Sequence, residues 1–207
     1  MSSLGGDIKK AVFLVENGFC ERELLQAKDS LESMGFDCRI VSLENSLVRS
    51  WNEKKHASDN YWGEDYAADF SIKNAITSDY DVLVIPGGNR SIEKLKLDKN
   101  IKSFISAFLD TGKPVIAYNF AINLLIHKNM ISGYSVAAKD QVCDTVNDMG
   151  GRCAAPSFVV SKNLITLSRY RDANEKIQNA VQSIIDGTPY IEKIVSSDNM
   201  PYSHKVA

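Results

Sequence analysis

Three short apolar runs, each cut off by turn-forming residues, set the frame of the chain. Ala11-Val12-Phe13-Leu14-Val15 stops at Glu16-Asn17-Gly18, Val82-Leu83-Val84-Ile85 stops at Pro86-Gly87-Gly88-Asn89, and Val115-Ile116-Ala117 runs into Tyr118-Asn119-Phe120. Apolar stretches of this length without polar alternation fit strands covered on both faces. Between them the period becomes helical. Leu24, Leu25, Ala27, Leu31 and Met34 close at Gly35, while Ile92, Leu95, Ile101, Phe104, Ile105, Phe108 and Leu109 share one helical face up to Gly112. Phe36 to Leu43 reads as another strand, so the first strand, helix and strand fit into about 35 residues, enough for a right-handed parallel crossover.

The same alternation continues toward the C-terminus. Ile122, Leu124, Leu125 and Ile126 predict a helix directly after Asn119, and Tyr134 to Ala137 a short strand. A helix through Met149 is broken by Gly150-Gly151. Phe158-Val159-Val160 and Leu164-Ile165-Thr166 flank a turn at Ser161-Lys162-Asn163, and Ala173 to Ile185 forms the last amphipathic helix. Glu44 to Thr77 is the least regular stretch and reads as a hairpin with a loop. The expectation is an α/β fold, with one domain over residues 8–187 and a C-terminal arm over 188–207.

A length of 207 residues and 44% hydrophobic composition supply a sizeable core without metals or disulfides. The 24 basic and 26 acidic residues leave a net charge of -2, which gives no general electrostatic basis for nucleic-acid binding. No apolar run reaches the roughly 18 residues of a membrane span, and the polar start lacks the apolar core of a secretory signal. A soluble cytoplasmic protein is expected, with no membrane partner. Cys20, Cys38, Cys143 and Cys153 show no CxxC spacing, so free thiols in a reducing compartment are expected rather than a disulfide framework.

Candidate chemistry gathers at the strand ends. Gly87-Gly88 allows tight backbone geometry, either as an ordinary turn or with amides aimed at an anion or carbonyl. No GxGxxG or GxxxxGK(S/T) pattern is present, so no nucleotide cofactor is expected. Asn119 stands where an α/β enzyme would carry a nucleophile, yet an amide supplies neither thiolate nor hydroxyl. It can cap the following helix or hydrogen-bond a ligand, beside Phe120 as an apolar wall. Glu16 and Glu21 read as surface carboxylates, whereas Glu23 borders the buried helix face. Cys20, near Glu21 and Glu23 at a strand-to-helix junction, is the thiol whose pKa amide dipoles could lower. His56, His127 and His204 have no metal-ligand spacing, and no metal site is expected.

Taken together, Asn17-Gly18-Phe19 with Glu21 and Glu23, Asp81 to Gly88, and Gly112 to Ala117 resemble the ThiJ/PfpI superfamily. Leu164 to Arg169 resembles its late strand, and Tyr61-Trp62-Gly63-Glu64-Asp65-Tyr66 the insertion of bacterial stress-associated, intracellular-protease-like members. The resemblance implies a three-layer α/β/α sandwich with a mostly parallel sheet, in the flavodoxin-like, class I glutamine-amidotransferase-like topology. It also implies a homodimer or larger homo-oligomer and a role in stress response. Members of the superfamily have been linked to peptidase, glyoxalase, deglycase and chaperone activities. Where family enzymes carry Ala-Ile-Cys-His-Gly-Pro, this chain has Ala117-Tyr118-Asn119-Phe120-Ala121-Ile122, with Asn119 at the cysteine and Phe120 at the histidine. Glu23 falls on the glutamate facing the nucleophile, and Lys139 where many relatives carry tyrosine or histidine.

Three functions follow as expectations. The first is a noncatalytic or divergent protein that binds a small carboxylate or carbonyl metabolite, or a protein partner, at Glu23, Gly87, Gly88, Asn119, Phe120, Lys139 and Arg169. The second is a glyoxalase, deglycase or hydrolase with a relocated thiol, Cys20, and Glu23 as proton acceptor. In the third, the scaffold serves self-association through Trp51, Tyr61, Trp62, Tyr66, Tyr190 and Tyr202.

Overall fold

A computed structural model describes residues 8–44, 46–52, 61–169 and 173–191. His56, His204, Tyr202 and the arm beyond 191 lie outside the described residues. In chain order the elements are β1 (Lys10–Leu14), β2 (Phe19–Cys20), α1 (Glu21–Glu32), β3 (Asp37–Ser42), β4 (Leu47–Trp51), β5 (Trp62–Ala67), β6 (Phe70–Ser71), a 3-10 turn (Thr77–Asp79) and β7 (Val82–Ile85). There follow α2 (Asn89–Leu97), α3 (Asn100–Asp110), β8 (Val115–Tyr118), α4 (Ala121–His127), β9 (Ser135–Ala137), α5 (Asp140–Asp148), β10 (Arg152–Ala154), β11 (Phe158–Ser161), β12 (Leu164–Leu167) and α6 (Asn174–Ile185).

Seven strands form one sheet in the order β11-β12-β8-β7-β1-β3-β6, parallel throughout except for the β11–β12 hairpin. Alternation along each strand sends its side chains to opposite layers. Val12, Leu14, Leu83, Ile85 and Val115 pack with residues of α2, α3 and α4, while Phe13, Val84, Ile116 and Tyr118 pack with α1 and α6. Both layers are closely buried, and each fully buried Ile, Leu or Phe adds roughly 2 kcal/mol of hydrophobic stabilisation. The result is a three-layer α/β/α sandwich with a largely parallel central sheet.

Differences from the expected elements have local causes. The helical face from Ile92 to Leu109 is divided into α2 and α3, because Asp98 is extended and its carboxylate accepts the Asn100 N–H at 2.7 Å. Asp98 is thus the C-cap of α2, and Lys99 after it is the N-cap of α3. The insertion after β3 contains the hairpin β4–β5, to which β2 adds a third strand. Because Phe19 and Cys20 pair with Ser50 and Trp51, Cys20 is extended and precedes α1 as its N-cap, and does not lie on the helix. Glu21 is no free surface carboxylate: its Oε1 accepts Ser50 Oγ at 2.9 Å and the Tyr66 hydroxyl at 3.1 Å.

The expectation of four free thiols is corrected. Cys143 and Cys153 form a disulfide, their Cα atoms 5.2 Å apart, whereas Cys20 and Cys38 remain thiols. The turn at Gly150-Gly151 folds β10 back beside α5, where the Cys153 N–H donates to Asn147 Oδ1 at 3.1 Å. That proximity is tertiary and leaves no trace in the spacing of the cysteines.

Candidate functional site

The connection from β1 through α1 leads to one side of β1, and that from β7 through α2 and α3 leads to the other. The strand order therefore reverses between β1 and β7, where open α/β sheets leave a crevice beyond their carboxyl ends. Glu23 enters it from the first turn of α1, Gly87 and Gly88 follow β7, and Asn119 stands between β8 and α4. Asn119 has φ of 41°, in the left-handed region that asparagine tolerates better than most residues. Its N–H donates to the Leu167 carbonyl at 2.6 Å, which ties this elbow to the end of β12.

Glu23 is 2% exposed, so its carboxylate needs donors in place of water. Oε2 accepts the Gly87 N–H at 2.6 Å, and Oε1 accepts Asn119 Nδ2. The Gly87 amide, read from the sequence as a donor toward a ligand, is thus committed to the protein's own carboxylate. Its glycine identity follows from crowding: a Cβ there would lie 2.7 Å from Glu23 Oε2 and 3.1 Å from the Tyr118 carbonyl oxygen. Gly88, with φ of 102°, runs against the Gly18–Cys20 backbone, and the Cys20 N–H donates to the Gly87 carbonyl at 2.9 Å.

Beneath this network lies Tyr118, which sequence reading passed over although it adjoins Asn119. It is fully buried, and among the described residues its hydroxyl has no hydrogen-bond partner. Burial, followed by the nearby Glu23 and Cys20, raises its pKa well above the ordinary phenol value. Cys20 is 8% exposed beside it. Cys38 lies away from the site, and burial with Glu32 nearby pushes its thiol up to about 12. It stays protonated and unreactive at neutral pH.

The open part of the site lies on the far side of Asn119. A cleft of about 60 Å³ is lined by Asn119, Phe120, Ile122 and Asn123 on one side and Lys139, Gln141 and Val142 on the other. Lys139 Nζ stands 5.0 Å from the centre of the Phe120 ring, a cation–π contact that holds the ammonium at the rim. Asn123, Gln141 and Val142 carried no local signal, because α5 reaches the elbow only through the tertiary fold. Arg169 is exposed just beyond β12 and does not line this cleft. Among the described residues, no group of three or more His, Cys, Asp or Glu side chains is placed to hold a metal.

A strand-to-helix elbow at the switch point of a parallel sheet, faced by a glutamate from the first helix, defines a protein of the class I glutamine-amidotransferase-like fold. The family model described as DJ-1/PfpI matches residues 9–182, and the chain belongs to that family. It is 30% identical over 161 residues to an uncharacterised protein of Staphylococcus haemolyticus (strain JCSC1435), covering 76% of this chain and 87% of the relative. Over 164 residues it is 26% identical to protein/nucleic acid deglycase 2 of Escherichia coli (strain K12), covering 79% and 90%. Among solved structures it superposes on a two-domain protein of Anabaena variabilis with DJ-1/ThiJ/PfpI-like and ferritin-like domains, with TM-score 0.72 and 23% identity. That match covers 87% of this chain and half of the two-domain one. The described residues contain no helix long and apolar enough to cross a membrane.

Proposed function

We propose that this protein is a noncatalytic or catalytically divergent member of its family that binds a small carboxylate or carbonyl compound beside Asn119. The observation that carries this reading is the pair of bonds from Gly87 and Asn119 to Glu23, which fill the elbow with an amide and a carboxylate. The amide is no nucleophile, and the carboxylate has both oxygens engaged by hydrogen-bond donors. The remaining cleft offers Lys139 as a cation, amides from Asn119, Asn123 and Gln141, and an aromatic wall. At about 60 Å³ it suits a single small polar group, well below the roughly 300 Å³ at which drug-sized sites begin.

Ligand-observed magnetic resonance with acetate, pyruvate and methylglyoxal tests the reading. Acetate is expected to bind, and Lys139→Ala to weaken it about tenfold through loss of a charge-assisted hydrogen bond. Affinity unchanged in Lys139→Ala and in Asn119→Ala rejects the site. Asn119→Cys should fold and expose a thiol to labelling reagents, yet leave methylglyoxal and peptide turnover near background, since Phe120 supplies no proton acceptor. Robust turnover by that variant alone would instead point to a single missing nucleophile.

A second reading keeps catalysis as a glyoxalase, deglycase or hydrolase, with Cys20 as relocated thiol and Glu23 as proton acceptor; one relative is named a deglycase. The observation in its favour is that Cys20 and Glu23 both act on the titration of Tyr118, so thiol and carboxylate share one buried neighbourhood. Turnover in the native protein that survives Cys20→Ser removes it. We further propose a cytoplasmic homodimer with a role in stress response, the hairpin aromatics contributing to its interface. Trp51 stacks on Tyr61 at 5.3 Å and carries Arg90 at 4.6 Å, a preorganised aromatic and cationic cluster. A monomer in analytical ultracentrifugation across micromolar concentrations counts against the dimer.

A further inference from the structure

We propose that the Cys143–Cys153 bond is a reversible redox clasp that sets the occupancy of the Asn119 cleft. The proposal rests on reading that cleft as a small-carboxylate site. Its first support is position. Gln141 and Val142, which line the cleft, immediately precede Cys143, and Lys139 is the N-cap of the same helix. Cys143 Sγ lies 3.6 Å from the Lys139 carbonyl oxygen, directly behind the cleft wall.

The second support is how little else holds that wall. Of the residues of α5 only Val146 is fully buried, whereas α3 buries Ile101, Phe104, Ile105 and Phe108. Its neighbour β10 pairs with β9 in a separate two-stranded sheet. Elements with few buried apolar side chains open at low free energy, so one covalent link governs the motion of α5 more than it would that of a core helix. The Asn147–Cys153 hydrogen bond acts at the C-terminal half of α5, so the cleft-lining turn is held mainly by the partly buried Val142.

Access is the third support. Both cysteines are partly exposed, unlike the buried disulfides that resist reduction, and the closed loop spans only ten residues. Exposed bonds of this kind are the labile and regulatory ones. Closure is a thiol–disulfide exchange with a low-molecular-weight disulfide. One cysteine thiolate attacks a sulfur of that disulfide and expels a thiolate, forming a mixed disulfide. The other cysteine thiolate attacks the protein sulfur of that mixed bond and expels the second small thiolate. Two protons leave the cysteines, and the small disulfide takes up two electrons.

The full chain is equilibrated with glutathione disulfide or with a trialkylphosphine, and amide hydrogen exchange is followed with acetate titrations in parallel. On reduction, exchange across residues 140–148 is expected to rise about tenfold while β7 and β8 stay unchanged. Acetate affinity should fall about fivefold. The double variant Cys143→Ser/Cys153→Ser should show the reduced behaviour under both conditions. Exchange that is unchanged by reduction, acetate affinity equal in the two states, or a double variant that matches the oxidised protein each overturns the clasp. Absence of acetate binding in both states overturns the cleft reading instead, and exchange alone then decides whether the bond controls α5.

Discussion

Gly88→Ala is expected to cost about 4 kcal/mol or more, enough to remove most of the stability of a domain at the low end of the usual range of roughly 5–15 kcal/mol. Two independent strains add at this position. The backbone has φ of 102°, which side-chain-bearing residues rarely adopt. A Cβ would also run into the Gly18 carbonyl oxygen and lie 2.7 Å from Phe19 Cα and 2.8 Å from Cys20 N. These are backbone atoms tied by the β2–β4 pairing and the Cys20 bond to Gly87, so no side chain can move aside. Gly35→Ala separates the two strains. Gly35 has φ of 85° but nothing within 4 Å of its Cβ position, and its replacement should cost only about 1 kcal/mol. Urea unfolding of both variants checks the contrast, and a Gly88→Ala midpoint close to that of Gly35→Ala would show that the crevice backbone is compliant.

Loss of about 3 kcal/mol is expected for Glu23→Ala. The substitution removes a buried acceptor from two donors, the Gly87 N–H and the Asn119 amide, and opens a gap next to the unpartnered Tyr118 hydroxyl. Glu23→Gln should cost only about 1 kcal/mol. Its Oε1 can keep the Gly87 bond while its amide donates to Asn119 Oδ1 after that side chain flips, so every donor retains a partner. Equilibrium unfolding in urea distinguishes the two. Equal losses for Ala and Gln would mean that the carboxylate charge, rather than donor satisfaction, holds the elbow together.

The strands were legible because their apolar runs are bounded by Gly18, Gly88 and Asn119, where the backbone leaves the ordinary regions. Periodicity located the helices, but it missed the break at Asp98, whose extended backbone ends α2 without interrupting the apolar pattern. At the site, Glu23, Gly87, Gly88, Asn119, Phe120 and Lys139 were readable from position in the chain. What each one does was not. Gly87 was expected to offer its amide to a ligand and proves to hold Glu23, while Arg169 stands outside the cleft.

By itself, the amino-acid sequence determined the α/β alternation, the parallel crossovers and the absence of a nucleophile at position 119. These are properties of local pattern and residue chemistry, which need no knowledge of partners. Only the tertiary structure decided that Glu23 joins Gly87 to Asn119, that Tyr118 is buried beneath them, and that Cys143 meets Cys153 behind the Lys139 wall. Each of those depends on contacts between segments whose approach is set by sheet order and by helix packing on its two faces. No spacing along the chain encodes that approach.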